Sequence, residues 1–262
     1  MEKINCHNYK NKIYSQGGDD GILDIIFKTL KITNGTFVDF GGGDGIQFSN
    51  SYNLIKNGWG GLLIEANTRK HNSCLNNMKG FKDVHCLNSK VTLEPGETID
   101  EIVPNYSIFD NGIDFMSIDI DSHDYWIWLN MNKLTPKVIT IETNSSNEWV
   151  REFYKEYATI EYNKNYNYHR PYFGASFNAL VRLGHHKGYD FIARSNTNLF
   201  FIQSELNNNF EIIPTGNLTH NIYGTSIKES EYLREDYKEL PQEIIVKEKK
   251  KTKIIINPPI SI

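Results

Sequence analysis

In the stretch Val38-Asp-Phe-Gly-Gly-Gly-Asp-Gly45, an acid and then three glycines fall at alternate positions, in the frame Asp39-x-Gly41-x-Gly43-x-Gly45. Just before it, Thr36-Phe-Val-Asp-Phe40 has the aromatic and β-branched character of a strand. Alternate glycines permit positive φ and a sharp turn, and they leave bare peptide against which a ligand can rest. A glycine-rich turn leaving a strand suits a nucleotide or nucleoside. The frame differs from the dinucleotide Gly-x-Gly-x-x-Gly, because Asp44 and Gly45 fall at the wrong spacing for a pyrophosphate.

Around this turn, strand and helix patterns alternate. Ile22, Leu23, Ile26, Phe27 and Leu30 recur at helical spacing, which predicts an amphipathic helix before the first strand. Ser49 or Asn50 is placed to cap a short helix through Ile55, ended by Asn57-Gly58. Gly61-Leu-Leu-Ile-Glu65 reads as a buried parallel strand, and 67–79 as a polar helix closed by Gly80. Residues 83–88 form a third strand, and 90–112, with Pro95-Gly96, Pro104 and Asn111-Gly112, read as a long connection. The fourth strand is 114–119, a Trp-rich helix covers 125–134, and the fifth strand is 138–142. A helix over 175–187 then leads into a hairpin of 189–194 and 199–203. The pattern predicts an α/β fold, a doubly wound and mostly parallel seven-stranded sheet with an antiparallel C-terminal hairpin. Residues 1–35 would be a helical lead-in, 36–204 the main domain and 205–262 an extension packed on it.

At 262 residues, with 39% hydrophobic and 23% charged, the chain can bury one substantial core. A net charge of -4 supplies no basic face for nucleic acid. Cys6, Cys74 and Cys86 form no CxxC and no evident disulfide framework, which fits a reducing cytoplasm. The opening Met-Glu-Lys-Ile-Asn-Cys lacks a signal peptide's apolar core, and no apolar run reaches the ~20 residues of a membrane span. A cytoplasmic protein acting on a small molecule is expected.

The turn resembles motif I of class I S-adenosylmethionine (SAM) methyltransferases, a fold that a terminal antiparallel hairpin sets apart from plain dinucleotide domains. That resemblance gives Asp39, Gly41, Gly43 and Asp44 to the cofactor. Glu65 ends the second strand at close to the spacing, about 20 residues, at which a Rossmann-like acid meets a ribose. Asn88 or Ser89 would face adenine, and Asp119 or Asp121 would border the methyl-donor end. All lie at carboxyl ends of strands, where open α/β sheets bind ligands. The plainer role for each strand-end acid is a helix cap.

More widely, Tyr14-Ser-Gln-Gly-Gly-Asp-Asp-Gly-Ile-Leu23, 38–50, Gly58-Trp-Gly-Gly-Leu-Leu-Ile-Glu65, Ser117-Ile-Asp-Ile-Asp-Ser-His-Asp-Tyr-Trp126 and Tyr172-Phe-Gly-Ala-Ser176 resemble, in order, the FkbM-like SAM-dependent O-methyltransferases. The resemblance implies that Gln16 closes over the cofactor and that Asn50 helps hold it. It also implies methylation of a sugar hydroxyl, with a closer likeness to capsule-polysaccharide enzymes acting on nucleotide sugars such as GDP-heptose. The chain departs from the family's Asp-x-Glu-Gly after strand four, reading Asp119-Ile-Asp121-Ser122-His123-Asp124. With Glu142-Thr-Asn144 after strand five, these acids resemble the ligands of metal-dependent O-methyltransferases. Asp119, Asp121, Glu142 and Asn144 would then hold Mg²⁺, Mn²⁺ or Fe²⁺ through oxygen.

A sugar hydroxyl needs its proton removed before it attacks a methyl carbon, by a positioned base or by a bound cation. Asp121, His123, Asp124 and His169 are the candidate bases; N-terminal capping is the plainer role for His123 and Asp124, and a surface position for His169. Arg170 is placed to hold a diphosphate, an exposed structural arginine being the equal alternative, and Tyr172, with Tyr166 and Tyr168, to stack a sugar or base. Trp126 and Trp128 follow a core pattern, and His185-His186 a solvated face. Asn257-Pro-Pro-Ile lies too late for the amino-methylating motif it resembles, and Lys247–Lys253 reads as a solvated or self-associating run. A homo-oligomer is left open.

Overall fold

The computed structural model describes residues 2–121, 124–143, 175 and 177–214. Seven strands form one sheet: β1 (Thr36–Phe40), β2 (Gly60–Ile64), β3 (Val84–Leu87), β4 (Phe115–Ile118), β5 (Val138–Glu142), β6 (Tyr189–Ser195) and β7 (Asn198–Gln203). Their order is β3-β2-β1-β4-β5-β7-β6. The first five strands pair in parallel, and β7 enters antiparallel to both β5 and β6. This is the doubly wound, mostly parallel seven-stranded sheet with an antiparallel C-terminal hairpin expected from the sequence. The chain reverses direction across the sheet at β1, whose neighbours are β2 on one side and β4 on the other. Such a switch point opens a crevice at the carboxyl ends of the strands.

Helices cover both faces: α1 (Asp19–Leu30), α2 (Tyr52–Lys56), α3 (Thr68–Met78), α4 (Ile99–Ile102), α5 (Asp124–Asn130) and α6 (Phe177–His186). The two-residue period of the strands sorts the core into two layers. Val38, Phe40, Leu62, Ile64, Met116 and Ile118 pack with α4, α5 and α6. Phe37, Leu63, Phe115 and Val138 point the other way and pack with α1, α2 and α3. Parallel strands so covered must be apolar throughout, and β2 is buried at all five positions. Each large side chain sealed in this way stabilises the fold by about 1.5–3 kcal/mol.

Element boundaries depart from the sequence reading in a few places. The residue preceding α2 is Ser51, while the Ser49 hydroxyl accepts from the Tyr52 N–H at 3.0 Å. The connection over 90–112 contains α4 and two short 3-10 turns, Val103–Asn105 and Ser107–Phe109. There the Asp100 carboxylate fixes the loop after α5, accepting from the N–H groups of Asn132, Lys133 and Leu134 at 2.6, 3.0 and 3.2 Å. The Trp-rich helix stops at Asn130, short of the expected 134. Trp126 and Trp128 are buried as expected, and His185 and His186 are exposed.

Both ends of the described chain are stitched to the sheet. Ile4 pairs with Phe210, which is fully buried, and Ile213 N–H bonds the Phe191 carbonyl at 3.0 Å. Residues 205–214 therefore pack on the same body as the sheet. Among the described residues, no helix is long and apolar enough to cross a membrane.

Candidate functional site

The glycine turn is pinned from two sides. Gly41 N–H donates to the Ile64 carbonyl at 3.0 Å, and Asp119 N–H donates to the Phe40 carbonyl at 3.2 Å. Gly41 has φ of 91°, and a Cβ there would run into the Asp119 carbonyl oxygen. No side chain fits, because β4 ends against the turn. A Cβ on Gly43 would instead meet nothing within 4 Å, so this part of the turn faces open space.

Glu65, immediately after β2, closes over the turn. Its carboxylate accepts from the Gly43 N–H at 3.0 Å and from the Asn67 N–H at 2.7 Å, and the residue is 6% exposed. Asp44 shapes the exit from the turn, accepting from the N–H groups of Ile46 and Gln47 at 2.9 and 2.8 Å. Asn88 is exposed and serves the backbone: its Nδ2 donates to the carbonyls of Glu65 and Ala66 at 2.7 and 3.2 Å, and its Oδ1 accepts from Thr68. Its side chain thus braces the loop that carries Glu65.

Asp39 is buried below the turn, where the Ser51 hydroxyl donates to it at 2.6 Å. Burial, with the nearby Glu65 charge adding, raises its carboxyl to about 6 against the opposing hydrogen bonds of Ser51 and Ser117. Asn50 donates to Ser117 Oγ at 3.2 Å, and its buried Oδ1 finds no hydrogen-bond partner among the described residues. Ser51 and Ser117 escaped the sequence reading. Ser117 was detectable, as the one polar residue inside the apolar strand Phe115-Met-Ser-Ile118.

The lead-in reaches this site through Asp20. One carboxylate oxygen accepts from the N–H groups of Ile13, Tyr14 and Ser15 at 2.8, 2.9 and 2.9 Å and from Ser15 Oγ at 2.7 Å. The segment so gathered pairs Ser15 with Phe48, two residues before Asn50. Gln16 follows and is exposed.

On the other side of β1, three carboxylates converge. Oxygens of Asp119, Asp121 and Glu142 lie within 4.8 Å of one another, although β4 and β5 supply them from distant parts of the chain. Asp121 takes the left-handed conformation, φ 61°, which aspartate tolerates better than most residues. Burial pushes Asp119 well above the usual carboxylate range, with the charges of Glu142, Asp121, Asp124 and Asp39 adding. Burial likewise raises Glu142 to about 8, helped by Asp121 and Asp124. Like charges this close and this poorly hydrated cannot all ionise without a counter-charge. Such an oxygen-only donor set fits a hard divalent cation. Asp124 is spent locally, its buried Oδ1 accepting from the Ile120 N–H at 2.8 Å. His123, Asn144, His169, Arg170 and Tyr172 lie outside the described residues.

Fold and site together define a doubly wound α/β protein with a glycine turn at its switch point and an acidic cluster beside it. No family model matches the chain, and no curated protein matches it. Solved structures do. PKMT2 from Rickettsia typhi matches at 12% identity over 45% of this chain and 22% of that one, with a TM-score of 0.32. A SAM-dependent methyltransferase from Aquifex aeolicus matches at 13% identity over 68% and 86%, with a TM-score of 0.39. Fibrillarin from Aeropyrum pernix, in complex with natively bound SAM, matches at 9% over 64% and 66%, with a TM-score of 0.41. The chain spans less than a quarter of the first of these. Likeness of this degree carries nothing about activity, and the strand order carries the fold assignment.

Proposed function

We propose that the chain is a SAM-dependent O-methyltransferase acting on a hydroxyl of a sugar, with a nucleotide-linked, GDP-heptose-like sugar for surface polysaccharide as the acceptor. The observation that carries this reading is a juxtaposition. A glycine turn closed by Glu65 and a three-carboxylate cluster occupy adjacent strand ends of one sheet. The 36–204 segment would be the methyltransferase domain, with 205–262 as its extension.

In this reading Glu65 accepts the ribose hydroxyls with lone pairs left over from its two backbone bonds, and Gly43 gives the cofactor room to approach. Asn50 offers its Oδ1, unpartnered among the described residues, as a further acceptor. Bound SAM supplies a methyl group on a sulfonium, transferred in line to the attacking oxygen. Asp119, Asp121 and Glu142, with Asn144 as a proposed fourth ligand, would hold a divalent cation, which lowers the pKa of a bound hydroxyl and orients it. The proton acceptor is proposed among Asp121, His123, Asp124 and His169. Arg170 and Tyr172 are proposed to hold the nucleotide-sugar acceptor.

Calorimetry with SAM and with NAD tests the cofactor, and binding of NAD alone would overturn the reading. A mass-spectrometric screen of nucleotide sugars with SAM, in Mg²⁺, in Mn²⁺ and in chelator, tests the reaction. A gain of one methyl group identifies the acceptor. Tight SAM binding with no product from any acceptor would instead make the chain a non-catalytic binding subunit.

A further inference from the structure

Two cysteines twelve positions apart meet beside the glycine turn. Cys74 lies on α3 and Cys86 on β3, and their sulfurs are 3.1 Å apart. A disulfide requires about 2.05 Å, so closing the pair calls for roughly 1 Å of approach. Cys74 is 1% exposed, while Cys86, on the strand at the sheet's edge, is half-buried and so the more accessible residue of the pair.

The same helix holds the turn. Asn77 Nδ2 donates to the Asp44 carbonyl at 2.9 Å, and a Cβ built on Gly45 would lie 3.2 Å from Cys74 Sγ. Thus α3 touches the turn through Asn77 and Cys74, and touches β3 through the sulfur pair.

We propose that Cys74 and Cys86 are a reversible dithiol, a modification site at which a peroxide closes a disulfide that draws α3 towards β3 and weakens ligand binding at the glycine turn. The second half of this proposal rests on the SAM-binding reading; the first does not. The Cys86 thiolate attacks one peroxide oxygen and breaks the O–O bond, giving a sulfenic acid and hydroxide. The Cys74 sulfur then attacks the Cys86 sulfur: the S–S bond forms, the S–O bond breaks, and the Cys74 proton leaves with the departing hydroxide as water. Overall two thiols and one peroxide give one disulfide and two waters, and an external dithiol reverses the change. The hydrogen bond between the sulfurs favours the charge on Cys86, lowering its pKa, and with burial it raises that of Cys74. Cys6 is fully buried, its thiol pushed up to about 12 chiefly by that burial, and it serves as an unreactive internal reference.

The test uses the full reduced chain treated with hydrogen peroxide, then an alkylating agent under denaturing conditions. The expected result is a loss of about 2 Da, a single alkyl label on Cys6 and a crosslinked peptide joining Cys74 to Cys86, all reversed by dithiothreitol. Cys74→Ser and Cys86→Ser should each abolish the crosslink, and Cys6→Ser should keep it. Three retained labels, or sulfinic acid on Cys86 with Cys74 free, would overturn the dithiol. SAM titrated into reduced and oxidised protein should bind about tenfold more weakly after oxidation. Equal affinities with the crosslink present would overturn the coupling to the turn. SAM failing to bind reduced protein would count against the methyltransferase reading, and the peptide crosslink would still decide the dithiol.

Discussion

The carboxylate of Glu65 accepts a hydrogen bond from the backbone N–H of Gly43 at 3.0 Å, tying the end of β2 to the middle of the glycine turn. The acid has a second backbone partner in Asn67, so it holds two strand-end loops in a fixed relation. Glu65→Gln should cost about 1–3 kcal/mol of stability, because an amide can accept at only one of these two sites. SAM affinity should fall at least about tenfold by calorimetry if the acid also meets the ribose. Unchanged affinity in a folded Gln variant would remove Glu65 from the cofactor site.

Gly41 and Gly43 should respond differently to the same substitution. Gly41→Ala forces a methyl group onto the Asp119 carbonyl, and chemical denaturation should show a loss above about 3 kcal/mol or no folded protein. Gly43→Ala meets open space, and its φ of 60° should cost only about 1–2 kcal/mol. That second variant should fold yet bind SAM poorly, since its methyl projects where the ligand would lie.

The acidic cluster should make stability depend on pH. Burial raises Glu142 from 4.5 to about 8, so between these values the folded protein holds a proton that the unfolded chain has released. Its contribution is therefore complete below about pH 4.5 and is lost as pH rises through 8. In chelator, thermal melts should show more than about 1 kcal/mol of destabilisation from this group between pH 5.5 and 8.5. Glu142→Gln should flatten that dependence. Mg²⁺ or Mn²⁺ should raise the melting temperature more at pH 8.5 than at 5.5, since cation and proton compete for the same oxygens. A melting temperature insensitive to both ions at both pH values would argue against a cation there.

Turnover should need Asp119 and Asp121. Asp119→Ala and Asp121→Ala should abolish methyl transfer in a mass-spectrometric assay, whereas His185→Ala, on an exposed helix face, should leave the rate unchanged. Normal rates in the aspartate variants would remove the cluster from the chemistry.

Asp20 offers a test of the lead-in. One of its oxygens gathers three successive backbone N–H groups, one buried and two part-buried, so Asp20→Ala should cost about 1–3 kcal/mol in urea denaturation. Loss of SAM affinity in excess of the stability change would show that the 13–16 segment belongs to the binding site.

Much of this molecule is written locally. Alternation in Phe37-Val-Asp-Phe40 assigns each side chain to a face of β1, and the helical spacing of Ile22, Leu23, Ile26 and Phe27 defines the buried side of α1. Such patterns involve residues within one or two turns of chain, so the sequence by itself determined the strands, the main helices and the glycine turn, though not α4 inside the 90–112 connection. Tertiary structure decided how distant groups meet, including the acids that the family resemblance groups. Asp119 and Asp121 join Glu142 only because β4 and β5 pair in parallel with Ile118 beside Ile141. Cys74 and Cys86 look unrelated until α3 packs on β3. Asn88, expected with Ser89 as a candidate to face adenine, donates to the loop of Glu65, an arrangement set by where β3 ends beside β2. Register between strands comes from the packing of the whole sheet, which no local window of residues contains.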